Sequence, residues 1–270
     1  MNGLSPYGPW AVITGASSGI GAAFAEQCAA GGVNVVLAAR STDRLAGLGR
    51  RLTDSHGVEH RLVTVDLTGA GGAADLLADT ADLDVGLLVS NAGHGNPGRF
   101  LDQELTDLHR RLTLNTVSHL ELAYGFGHRF VARGGGAMVL VAALGAAHGM
   151  PNMAHEGASK AYVHSLGVAL HHELRGAGIK VTVMLPGNVD TPAIDRLGVD
   201  RASLPIRPLP AATAVRQTVR ALRAGRSTVV PDRRLRALVR LTPGRVSVAM
   251  NGRMLGQAAA NLARRKETVR

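Results

Sequence analysis

The stretch Thr14-Gly15-Ala16-Ser17-Ser18-Gly19-Ile20-Gly21 follows an apolar run at 10–14 and opens a helix-like segment at 20–30. Its three glycines let the backbone turn tightly and approach a pyrophosphate. A helix starting here offers free N–H groups and the positive end of its dipole to that anion. Such a turn, taken alone, also occurs as a plain connection. The surrounding sequence decides its meaning.

Short apolar runs recur at 33–38, 61–65, 85–90, 137–141, 180–185 and 228–230. They are continuous rather than alternating, as strands buried on both faces are. Helical patterns lie between them at 41–55, 101–133 and 153–177. Strand–helix alternation predicts an α/β fold, a Rossmann-like doubly wound parallel sheet with helices on both faces. The chain reads as one domain over 1–270. Within it, 192–211 is rich in proline (Pro192, Pro205, Pro208 and Pro210) and too long for a tight connection, which suggests a lid.

The formal net charge of +10 invites a nucleic-acid reading. Its distribution opposes one. Residues 1–200 carry 14 basic and 18 acidic side chains, whereas 201–270 carry 16 basic and 2 acidic. The 8 aromatic residues are too few for base-stacking surfaces. Cys28 is the single cysteine, so neither a disulfide framework nor a Cys-rich zinc site is expected. His171-His172-Glu173 does not suit a metal, because adjacent helical side chains point about 100° apart. The N-terminus lacks a basic, apolar leader and no run approaches a bilayer span, so the expectation is a cytoplasmic protein.

The second strand ends in Ala39-Arg40, where an acid would hold ribose hydroxyls and an Arg instead accommodates a 2′-phosphate. Arg40 also fits a plain solvated helix start. Asp66-Leu67 and Asn91-Ala92-Gly93 close the third and fourth strands. With TGASSGIG (14–21), SNAG (90–93), Asn115 within LNT, ASK (158–160) and PGNVDTP (186–192), the chain resembles the short-chain dehydrogenase/reductase family over roughly 8–195. The resemblance implies seven parallel strands and a homodimer or homotetramer built through the long central helices. It also implies NADP(H) held by Gly15, Ser17, Ser18, Gly19, Ile20, Gly21, Arg40, Asp66, Leu67, Asn91, Ala92, Gly93, Lys160, Pro186, Gly187, Val189 and Thr191.

Members of that family use Asn, Ser, Tyr and Lys together. Asn115 and Lys160 match. Glu156 stands four residues before Lys160, where the family has Tyr, and Ala143 stands where it has Ser. Tyr162 lies about 200° round the helix from Lys160, and Tyr124 is read as a packing residue. Lys160 at i+4 is the expected ion-pair partner of Glu156. His94, His148 and His155 are candidate proton carriers. Of these His148 is preferred, as a lining residue of the substrate cleft beside Ala143. The leading reading is an NADP(H)-dependent oxidoreductase acting on a carbonyl, alcohol or activated C=N or C=C bond, with Asn115, Glu156 and Lys160 at its centre. A repurposed non-redox enzyme with Glu156 as base, and a catalytically silent NADP-binding protein, stand as alternatives.

Arginines alternate with Leu235, Leu238, Val239 and Leu241 over 233–241, a basic amphipathic pattern. A weaker one covers 246–260, and Arg264-Arg265-Lys266 is expected to fray. Such a 232–270 extension suits cleft or interface packing; contact with an anionic membrane is the less favoured reading.

Overall fold

The computed structural model describes residues 4–204 and 206–268; Pro205 of the proline-rich stretch lies outside them, as do Met1–Gly3 and the last two residues. The side chains of Val239 and Lys266 are likewise outside the description.

Seven parallel strands form one sheet in the order β3-β2-β1-β4-β5-β6-β9. They are β1 (Trp10–Thr14), β2 (Asn34–Ala39), β3 (His60–Thr64), β4 (Val85–Ser90), β5 (Gly136–Val141), β6 (Ile179–Met184) and β9 (Thr228–Val229). The apolar runs predicted every one of them to within a residue. Both β4 and β5 are buried at every position, which is why they read as unbroken apolar runs.

The strands alternate their side chains between two layers. Ile13, Val35, Leu37 and Val139 meet Phe24 of α1 (Gly19–Ala29) and Leu45, Leu48 and Leu52 of α2 (Thr42–His56) on one face. Val12, Val36, Leu88 and Leu140 meet Leu76 of α3 (Gly72–Ala78) on the other. That second layer continues with α4 (Leu105–Leu112), α5 (Ser118–Arg133) and α6 (Ala154–Glu173). The chain leaves β1 in one direction for β2 and β3, then returns to build β4 on the other side. That reversal opens a crevice beyond the carboxyl ends of β1 and β4.

Two expectations need correction. The single helix predicted over 101–133 is broken: a 3-10 turn at Phe100–Asp102, α4, a π-helical turn at Thr113–Val117, then α5. Gln103 and Glu104 have extended backbones, which separates the first two. The proline-rich stretch contains regular structure. It holds α7 (Pro192–Arg196) and a 3-10 turn at Arg201–Ser203, while β7 (Val189–Asp190) pairs with β8 (Leu209–Pro210). Arg201 pins it by pairing with Asp190 and with Asp195, the latter at 3.0 Å. Tyr124 does not pack inside; it is exposed on α5 with its ring edge against His128.

Beyond α8 (Ala211–Arg223) the chain ends in α9 (Arg233–Leu241) and α10 (Gly244–Thr268). Asp232 caps α9 by accepting from the Arg234 and Leu235 backbone N–H groups. The expected fraying at 264–266 is not seen, as α10 stays helical through Thr268. Among the described residues no helix is long and apolar enough to cross a membrane, and no His, Cys, Asp and Glu cluster could hold a metal ion.

Candidate active site

One cleft of about 900 Å³ runs along the carboxyl ends of the strands. Its first half is the glycine turn. Gly15 and Gly19 adopt left-handed backbones (φ 64° and 58°) that side chains disfavour. Gly21 does not line the cleft but sits beneath the turn, where a Cβ would lie 2.3 Å from the Gly15 carbonyl oxygen. The Thr14 hydroxyl oxygen accepts from the backbone N–H of Asn91 (2.8 Å) and of Ala92 (2.9 Å), and Asn91 Nδ2 donates to the Thr14 carbonyl (2.9 Å). These bonds lock the end of β1 to the end of β4 across the crevice. No side chain caps α1, so its first N–H groups are free for a ligand.

Every other residue assigned above to nucleotide binding lines this cleft, from Ser17 and Ser18 to Pro186, Gly187, Val189 and Thr191. Arg40 lies at one end with Ser41 and Arg44. Burial pushes the Asp66 carboxyl up, but the Thr68 backbone N–H, Arg40 and Arg110 outweigh it, and the group titrates below the ordinary carboxylate range.

The other half gathers Asn115, Glu156, Lys160, Ala143 and His148. Asn115 sits in the π turn, which rotates its side chain into a two-point clamp on His94: Oδ1 accepts from the His94 N–H (2.9 Å) and Nδ2 donates to its carbonyl (2.8 Å). Lys160 donates to the Val141 carbonyl at 2.8 Å, and burial pulls its ammonium down to about 8. The predicted Glu156–Lys160 pair does not form. Glu156 is buried and pairs instead with Arg111 of α4, Nε to Oε1 at 2.9 Å, a close approach of charges without hydrogen-bond alignment. The same oxygen accepts from the Asn96 N–H at 3.3 Å, and Oε2 is buried with no hydrogen-bond partner. Arg111 is also buried and donates to Gln103 Oε1.

Two buried groups escaped the sequence reading, Arg111 and His119. Arg111 precedes Asn115 by four, so a shared helical face was the available signal. His119 accepts at Nδ1 from the Ser90 hydroxyl (2.8 Å) and donates from Nε2 to the Ala92 carbonyl (3.1 Å). Burial and the nearby Lys160 hold it neutral, far below the ordinary histidine range. His94 is shifted down by burial, with Arg111 and Arg196 adding to it. His148 stands on the far wall beside Gly244, and His155 Nε2 is buried and unpartnered.

The C-terminal helices close the cleft. Leu235 packs over Gly187, Asn152 Nδ2 donates to the Gly252 carbonyl (3.1 Å), and Asn261 Nδ2 donates to the Gly198 carbonyl (3.1 Å). Met250, Met254 and Leu255 form part of the wall.

The sequence profile of the short chain dehydrogenase family matches residues 9–201. The chain belongs to that family. It is 31% identical over 194 residues to a 7beta-hydroxysteroid dehydrogenase of Collinsella aerofaciens, covering 72% of this chain and 74% of that one. It is also 31% identical over 194 residues to the very-long-chain 3-oxoacyl-CoA reductase of Bos taurus, 70% of this chain but 62% of that longer protein. Among solved structures, a short-chain dehydrogenase from Sphingobium yanoikuyae in complex with NADPH superimposes with a TM-score of 0.79 at 33% identity, over 86% of this chain and 92% of that one. The tail that closes the cleft lies beyond the residues that the family profile matches.

Proposed function

We propose that this short-chain dehydrogenase is an NADP(H)-dependent oxidoreductase acting on an apolar carbonyl, alcohol, or activated C=N or C=C compound. The observation that carries the reading is one cleft joining the glycine turn and Arg40 to Asn115 and Lys160. The residues fit the cofactor. The turn is too tight for side chains, the α1 N–H groups are free for a pyrophosphate, and Arg40 with Arg44 suits a 2′-phosphate. Once bound, the nicotinamide supplies or accepts a hydride. Lys160 would hold the ribose beside it, and Asn115 fixes the 92–95 turn through His94.

In this reading Glu156 stands where the family keeps its Tyr and Ala143 where it keeps its Ser. An ion-paired carboxylate accepts hydrogen bonds and has no proton to give an alkoxide. Deleting an oxyanion donor costs about 3–4 kcal/mol where measured. The site therefore favours electrophiles that take hydride without an acid, an iminium above a plain ketone. The carboxylate's engagement with Arg111 lends no support to a free base for non-redox chemistry. Leu120, Tyr124 and Val131 of α5 and Tyr162 of α6 are exposed apolar side chains that would be covered in a homodimer or homotetramer. The extension at 232–270 would act with the 192–211 lid to select the substrate.

The test is two-part. Fluorescence titration should show NADPH binding tighter than NADH. NADPH oxidation should then be faster with a cyclic iminium than with the corresponding ketone. Absence of nucleotide binding would end the proposal, and equal rates on the two electrophiles would end its substrate clause.

A further inference from the structure

The mouth of the cleft is built from side chains that both line it and face solvent. Leu238 of α9 is 37% exposed and Met250 of α10 is 45% exposed, and both belong to the cleft wall. Between them in sequence lie Leu241 at 84% and Val246 at 41% exposure. Singly exposed apolar residues are ordinary, but four within thirteen residues at a cavity mouth form a patch.

The flanks of this patch are cationic. Arg233, Arg234, Arg245 and Arg253 are exposed, and none is paired with an acidic side chain among the described residues. Four arginines elsewhere in the chain are paired with carboxylates: Arg61 with Asp82, Arg111 with Glu156, Arg133 with Asp84, and Arg201 with Asp190 and Asp195. Residues 233–253 hold no Asp or Glu at all. A helix with an apolar edge between unpaired arginines is the pattern that lies in a headgroup layer, with leucines at the acyl boundary and guanidinium groups on lipid phosphates.

We propose that the α9–α10 corner, residues 233–253, docks this protein on an anionic lipid surface with the cleft mouth facing the bilayer. Docking needs no spanning helix. It places Leu241 and Val246 in the interface and lets an apolar substrate pass between the bilayer and the cleft without crossing water. The substrate clause rests on the proposed function; the docking itself does not.

The experiment is co-sedimentation of the full chain with sucrose-loaded vesicles, either phosphatidylcholine alone or phosphatidylcholine with 30 mol% phosphatidylglycerol. Binding should require the anionic lipid and weaken as salt is raised. Each basic side chain near such a surface contributes about a factor of five. The triple variant Arg233→Gln, Arg234→Gln, Arg245→Gln should therefore bind about 100-fold more weakly, and Leu241→Asp at least tenfold more weakly. NADPH binding by each variant serves as the folding control. Equal pelleting with neutral vesicles, no pelleting at low salt, or unchanged binding by the variants overturns the proposal. So does a change of solution mass in Leu241→Asp without loss of vesicle binding, which would assign the patch to a second copy of the chain. Tighter binding of a soluble polyanion such as heparin, with none to vesicles, overturns it as well.

Discussion

Glu156 shows how much of a residue's role its neighbours decide. Its place one turn before Lys160 is plain in the sequence, yet its charge is satisfied by Arg111, 45 positions away on another helix. Local spacing carries no record of a pairing made by tertiary packing. Because both members are buried, breaking the pair leaves an uncompensated charge. Arg111→Met should cost about 3–5 kcal/mol in urea unfolding, whereas Arg111→Met with Glu156→Met should recover most of that loss. A double variant no better than the single would show that the pair adds nothing. The place of Arg40 at the cleft, by contrast, was legible because it follows a strand beside the glycine turn. Arg40→Ala should weaken NADPH by about 1.5–3 kcal/mol, the scale of a hydrogen bond to a charged group, and leave NADH unchanged in the same fluorescence titration. Equal losses for both nucleotides would remove the 2′-phosphate contact.

At the scale of elements, the strands were readable because buried parallel strands are apolar throughout. The break between α4 and α5 was not, since a π turn of five residues is too short for its change of period to show against the helical pattern on either side. The short α3 and α7 were missed for a related reason: five to seven residues give too few turns for a period to show. The docking of α10 depends on Gly198, whose backbone is left-handed (φ 69°). A Cβ there would lie 2.6 Å from the Ala258 carbonyl oxygen. Gly198→Ala combines a disfavoured conformation, about 1–2 kcal/mol, with a clash against α10 backbone. It should speed proteolytic cleavage within 244–268 while nucleotide binding persists. Unchanged cleavage would mean that the helix is held elsewhere.

Across the whole molecule, titration links the buried cleft to stability. Lys160 falls from its ordinary 10.5 to about 8 because burial disfavours the ammonium. Between pH 8 and 10.5 the unfolded chain holds that proton and the folded one releases it. Its contribution to stability therefore rises with pH across that window, and the cost of the buried charge is fully present below it. The effect is at most about 3 kcal/mol, since the side chain borders an open cleft. Unfolding midpoints from pH 7.5 to 10.5 should rise less steeply in Lys160→Met; parallel slopes would refute the shift. Cys28, fully buried with its thiol pushed up to about 12, should react with a thiol reagent only after denaturation. The cleft wall has a further consequence. The glycine turn and the strands that hold it lie within the first two thirds of the chain, while α10, which sets the depth and lining of the substrate half, comes from the last 25 described residues. During synthesis the nucleotide half can assemble while its wall is still inside the ribosome. Replacing α10 alone should therefore redraw the α10 side of the cavity, while the glycine turn between β1 and α1 keeps its geometry.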